Sequence, residues 1–178
     1  MYNPEIENLI PDTSRLTADL AAEFIIEHPE HLGAMIDACF EGPGPIPMRA
    51  SRVVYLIGVL APELISPYLV TSLKRVQESD NESVIRNFFH LFMEQLDRLD
   101  ETSLGILVSM SFNYLENAGT AIGIRAYSLQ ILYEISQKIP DIKPELIAVI
   151  RYHLDESSTA LKTQGKRILK KLNREIIG

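Results

Sequence analysis

The stretch "GIRAYSLQILYEI", residues 123–135, places one base, Arg125, ahead of an apolar run with helical spacing. Whether that arginine is a functional group or part of how a helix is built depends on what the pattern does elsewhere. "IRAYSLQILYEI" from Ile124 aligns with "MRASRVVYLIGV" from Met48, "IRNFFHLFMEQL" from Ile85 and "LKTQGKRILKKL" from Leu161. "LTADLAAEFIIE" from Leu16 fits more loosely. In the four close copies an apolar residue precedes Arg49, Arg86, Arg125 or Lys162. Two helical turns later stand Leu56, Met93, Leu132 and Leu169, and three residues further Val59, Leu96, Ile135 and Leu172, which reads as a core stripe. Successive bases lie 37, 39 and 37 residues apart, and the looser first copy adds 32.

A period of this length holding two helices is the signature of an α-solenoid. One helical pair cannot bury its apolar face alone, whereas stacked pairs share a continuous core. Strand signals are nearly absent, with no Asn-Gly or Asp-Gly dipeptide and no sustained alternation. Pro29, Pro67 and Pro144 open apolar-periodic stretches, where a missing N–H is tolerated. They place second helices at 29–40, 67–77 and 144–155, with Ser66 as an N-cap. A further second helix, 102–116, would start at Thr102 or Ser103. "EGPGPIP" (41–47), "ESDNES" (78–83) and "ENAGT" (116–120) read as connectors. The expected organisation is one domain over 1–178, with repeats at about 13–41, 46–78, 81–117 and 120–156 and a capping helix at 158–174.

Composition bounds the function classes. The 178 residues suffice for a real core, and 46% hydrophobic with 23% charged residues is ordinary for a globular chain. Cys39 is the sole cysteine, so no internal disulfide can form. The N-terminus lacks a basic start followed by an apolar run, and no apolar stretch approaches membrane-spanning length. A cytoplasmic protein without membrane association is expected. The net charge of −7 disfavours a general nucleic-acid binder. That charge is uneven: residues 1–41 carry nine acids against Arg15, and residues 161–178 carry six bases against Glu175.

"MRASRVVYLIGV", "SVIRNFFHLFM" and "GIRAYSLQILYEI" resemble the first helix of HEAT repeats, which often reads acid-x-x-(Val/Ile)-Arg-x-x-Ala. "APELISPYLVTSL" and "KPELIAVIRYHL" resemble HEAT second helices, and the likeness covers roughly residues 13–173. Arg52, Phe89 and Ser128 stand where that pattern has alanine. The end of the chain also resembles small uncharacterised bacterial HEAT-like proteins. The resemblance implies an all-α fold: a short right-handed α-α superhelix of the HEAT/ARM type, with about four helical hairpins plus a C-terminal helix. It further implies that second helices line a concave surface. Lys74, Arg75, Asn113, Arg151 and His153 interrupt those helices and are the candidate binding residues there.

No catalytic pattern stands out. His28 and His31 could direct two ligands to one side of a helix, but Pro29 should break it, so no metal site is expected. His90 lies mid-helix and reads as a packed or edge histidine. Cys39 sits in the acidic, apolar "MIDACF", a poor setting for a thiolate. No phosphate-binding glycine loop, nucleophile elbow or His-Glu-x-x-His is present, and neither an enzyme nor a cofactor is expected. The recurring bases could form a phosphate ladder. The stronger reading has each one pair with a carbonyl or acid of the neighbouring repeat while its stem covers apolar surface.

In the C-terminal helix Lys162, Lys166, Lys170 and Arg174 lie four apart, widened by Arg167 and Lys171, opposite a stripe of Leu161, Ile168, Leu169 and Leu172. This face is either the solvated side of a solenoid cap or a docking patch for an acidic protein, RNA or DNA. The expected function is a non-catalytic protein–protein interaction or scaffold module. The alternative is a nucleic-acid-binding or DNA-repair protein of the HEAT-like DNA glycosylase type, against which stand the acidic charge and the absence of tryptophan. Weak head-to-tail self-association between the acidic start and the basic end is a third expectation.

Overall fold

Helix follows helix because the chain alternates apolar-periodic segments with side-chain caps and proline breaks. The computed structural model describes residues 2–153 and 158–177, with only the backbone of 176 and 177. Among these residues there are ten α-helices, five 3-10 turns and no strand. The α-helices are α1 (Arg15–Glu27), α2 (Leu32–Glu41), α3 (Ile46–Leu60), α4 (Pro62–Ile65), α5 (Leu69–Gln77), α6 (Glu82–Glu94), α7 (Glu101–Glu116), α8 (Ile122–Lys138), α9 (Lys143–His153) and α10 (Thr159–Ile177). No helix of the described residues is long and apolar enough to cross a membrane. The end of the fourth expected repeat, residues 154–156, lies outside the described residues.

Side-chain caps mark the starts of α1, α6 and α7. Ser14 Oγ accepts the Thr17 N–H at 3.1 Å ahead of α1, and Asn81 Oδ1 accepts those of Ser83 and Val84 ahead of α6. Asp100 Oδ1 accepts the Ser103 N–H at 2.7 Å, so α7 begins at Glu101 rather than at Thr102 or Ser103. The second expected helix of 67–77 is also corrected. Pro62, favourable in a first helical turn, starts α4 earlier, and the chain passes through a 3-10 turn at Ser66–Tyr68 before α5. Ser66 is itself helical in φ and ψ, its N–H donates to the Pro62 carbonyl at the end of α4, and no side-chain cap precedes the 3-10 turn. The lack of a Pro67 N–H accounts for the tightened turn there.

Contacts gather the chain into two compact units, Met1–Leu99 and Asp100–Gly178. In the first, α3 is central and touches α1, α2 and α6. Ile25, Met35, Ile57, Leu73, Phe88 and Phe92 are among its fully buried side chains. Asn87 Nδ2 donates to Ser51 Oγ, and Gln95 Nε2 donates to the Gly58 carbonyl, both at 2.9 Å. In the second unit α8 packs on α7, α9 and α10 around Phe112, Leu129, Leu132, Ile150, Ile168 and Leu172. There Gln164 Nε2 donates to the Ala126 carbonyl at 2.9 Å. These three bonds join residues 36, 37 and 38 apart in sequence, close to the spacing of the aligned bases.

The expected core stripe holds in α8 at Leu132 and Ile135, and fails in α3. Val59 is 48% exposed, because α3 turns Val53, Val54 and Ile57 inward and Val59 falls outside that arc in its last turn.

Candidate functional site

The basic C-terminal helix is built on a narrow buried stripe. Leu161, Gly165, Ile168 and Leu172 face inward, and Leu169, expected in the stripe, is only partly buried at its edge. Lys166, Arg167, Lys170, Lys171 and Arg174 are exposed, and Lys162 is half-buried. None of these six forms an ion pair with a described residue; Lys171 instead places Nζ 4.9 Å from the centre of the Tyr133 ring. The helix's one acid, Glu175, is used internally. It accepts from Lys143 Nζ at 2.8 Å, Gln137 Nε2 at 3.2 Å and the Tyr133 hydroxyl at 3.3 Å. The Lys143 hydrogen bond leads in holding the Glu175 carboxyl below its usual value, while burial and then the Glu175 charge push the Tyr133 phenol up. The outer face is therefore positive, with no ion pair to a described residue.

The other candidate residues are dispersed. Lys74 and Arg75 belong to α5 in the first unit, and Asn113, Arg151 and His153 to α7 and α9 in the second. Lys74, Asn113 and Arg151 are exposed. His153 is half-buried and lines a small cavity with Leu115, Val149 and Leu161. Arg75 is engaged: Nη1 meets Asp37 Oδ1 at 2.7 Å, Nη2 meets Glu41 Oε1 at 2.8 Å, and the guanidinium lies 4.3 Å from the Phe40 ring centre. Burial alone would raise the Asp37 carboxyl, but hydrogen bonding and charge, Arg75's foremost, hold it below its usual value.

The aligned bases meet different surroundings. Arg125 is 6% exposed and donates from Nε to the Leu115 carbonyl in the last turn of α7 at 3.2 Å. Arg49 donates from Nη1 to the carbonyls of Ile10 and Pro11 at 3.1 and 2.7 Å. Arg86 is exposed and makes no hydrogen bond or ion pair with a described residue. Arg49 and Arg86 line one cleft of about 120 Å³ in the first unit, at the start of α1, and Arg52 joins them. Sequence reading passed over Arg52, which stands at the alanine position of the HEAT pattern. The available signal was its place one turn after Arg49 on the same helix face.

The three histidines and the cysteine singled out in the sequence lie apart from the contacts of these basic groups described above. α1 ends at Glu27, and the His28 and His31 rings lie 4.6 and 5.5 Å from the Phe24 ring. No group of three metal-ligating side chains occurs among the described residues. His90 stacks on Tyr55 at 4.1 Å, and burial lowers its pKa. Cys39 is buried, its thiol pushed well up by that burial and its Sγ set 3.3 Å from the Met35 carbonyl. No protein-family model, curated protein or solved structure matches the chain.

Proposed function

We propose that this chain is a non-catalytic protein-interaction module, a short right-handed HEAT-like superhelix whose last helix docks an acidic segment of a partner protein in the cytoplasm. The observation that carries this reading is the outer face of α10, where Lys166, Arg167, Lys170, Lys171 and Arg174 are exposed and the helix's one acid is tied inward. Inter-helix hydrogen bonds at separations of 36–38 residues support the stacked-repeat architecture. Such stacks offer long surfaces to partners.

Fluorescence anisotropy with a labelled polyglutamate peptide and a labelled DNA duplex tests the reading. The peptide should bind, and Lys166→Glu with Lys170→Glu should weaken it about tenfold or more while leaving the urea midpoint unchanged. Submicromolar duplex binding lost in the same variant, with the peptide inert, would transfer the face to the alternative, a nucleic-acid or DNA-repair protein of the HEAT-like glycosylase type. The acidic net charge of −7 opposes that alternative.

A further inference from the structure

In the first unit three arginines, Arg49, Arg52 and Arg86, line one cleft. Arg49 and Arg52 are positioned by backbone carbonyls: Arg49 by Ile10 and Pro11, Arg52 by Thr13 at 3.3 Å. Carbonyl acceptors orient a guanidinium without cancelling its charge. Arg49 Nε is enclosed and has no partner among the described residues, a donor left unsatisfied beside the cleft. Arg86 lines the same cleft with no hydrogen bond or ion pair to a described residue. Three cationic side chains line the cleft against one carboxylate, Asp12, which leaves the wall net positive. Asp12 accepts the Ser14 N–H at 2.7 Å, which leads in holding its carboxyl below the usual value, and the charge of Arg49 adds to that, so Asp12 offsets one of the three positive charges. Hydroxyls of Ser14 and Thr17 and the Asn87 amide complete the polar wall.

The geometry points to a binding site for the phosphate monoester group, with Arg49, Arg52 and Arg86 as its cationic side chains. Planar guanidiniums match the oxygens of a phosphoryl group two at a time. A dianion suits three cations facing one carboxylate better than a carboxylate ligand with a single charge does. The site lies wholly in the first unit and is independent of the docking face on α10.

Isothermal titration of the full chain with inorganic phosphate, phosphoserine and acetate at neutral pH and low salt tests the assignment. Phosphate and phosphoserine should bind with Kd at or below about 1 mM, and acetate at least about tenfold more weakly. Tighter binding of phosphoserine than of phosphate identifies a phosphorylated side chain as the source of the group, and equal binding identifies the phosphate alone. Arg86→Ala removes an exposed side chain without structural partners, so it should keep the wild-type urea midpoint and weaken both ligands about tenfold. Arg52→Ala should act in the same direction, and Lys166→Ala should change neither. Absence of binding at about 10 mM, acetate binding as well as phosphate, or an Arg86→Ala variant with wild-type affinity would overturn the assignment. So would a DNA duplex that outcompetes phosphoserine for the cleft.

Discussion

Gly58 offers a test in which general helix rules and this packing give opposite signs. It lies inside α3, where replacing glycine with alanine in an exposed helix stabilises by about 0.5–1 kcal/mol. Here a Cβ would overlap Leu91 Cδ1 on α6 and meet Leu91 Cγ and Ile65 Cγ1 at 3.6 Å. Apolar carbons settle at about 3.5–4.0 Å, so Leu91 must move. Leu91 is 1% exposed, and its neighbours Phe88 and Phe92 are buried too, which leaves it little room. Overpacking of this kind costs about 1–3 kcal/mol. Net of the helix gain, Gly58→Ala should destabilise by about 1 kcal/mol, within a span of about 0–2.5, and each kcal/mol lowers Tm by roughly 2–4 °C in a chain of this size. Urea unfolding followed by far-UV circular dichroism measures it. Leu91→Ala alone should cost about 2–5 kcal/mol. In that background the clash is gone, and Gly58→Ala should become neutral or mildly stabilising, a coupling of about 1 kcal/mol or more. A Gly58→Ala variant more stable than wild type would refute the close approach of α3 and α6 at this point.

Other perturbations probe separate parts of the molecule. Arg125→Met removes the donor to the Leu115 carbonyl but fills the site with apolar volume and lifts a buried charge. It should cost about 1–2 kcal/mol in urea titration and leave polyglutamate binding intact; lost binding with the fold preserved would make Arg125 a ligand contact. Asp37→Asn should be less stable than wild type at neutral pH. Arg75 helps hold the native carboxyl below its ordinary value, so this contribution is full above the ordinary carboxylate range and fades as pH falls through the lower native value. The gap between the two proteins should therefore shrink below about pH 4, and a gap that stays constant into strong acid would deny the ion pair its role. Sedimentation velocity at low and high salt tests head-to-tail pairing of the acidic start with α10. Salt-sensitive dimers abolished by Lys166→Glu with Lys170→Glu are expected, and a monomer at high protein concentration and low salt removes the pairing.

What the sequence made legible was what contact between neighbouring elements imposes on it. Ser51 and Asn87, Gly58 and Gln95, and Ala126 and Gln164 meet across 36, 37 and 38 residues of chain. A similar spacing separates Arg49, Arg86, Arg125 and Lys162. The all-helical character was legible from the apolar spacing, and Ser14, Asn81 and Asp100 cap the starts of α1, α6 and α7. The miss at Ser66 arose because two prolines, Pro62 and Pro67, compete to start one helix, and local rules do not rank them. The arginine cleft was hidden for a different reason. Along the helix Arg52 is only a departure from a repeat pattern, and its charge acquires meaning when the start of α1 and the face of α6 are laid beside it. A shared position in the aligned segments therefore does not give the bases a shared role. Arg125 is consumed by the end of α7, Arg49 is half consumed by the carbonyls at residues 10 and 11, and Arg86 is left over. A ladder of equivalent phosphate sites would need every base free and alike. What the fold provides is one place where two of the recurring bases, and a third outside the pattern, have more charge than their surroundings use.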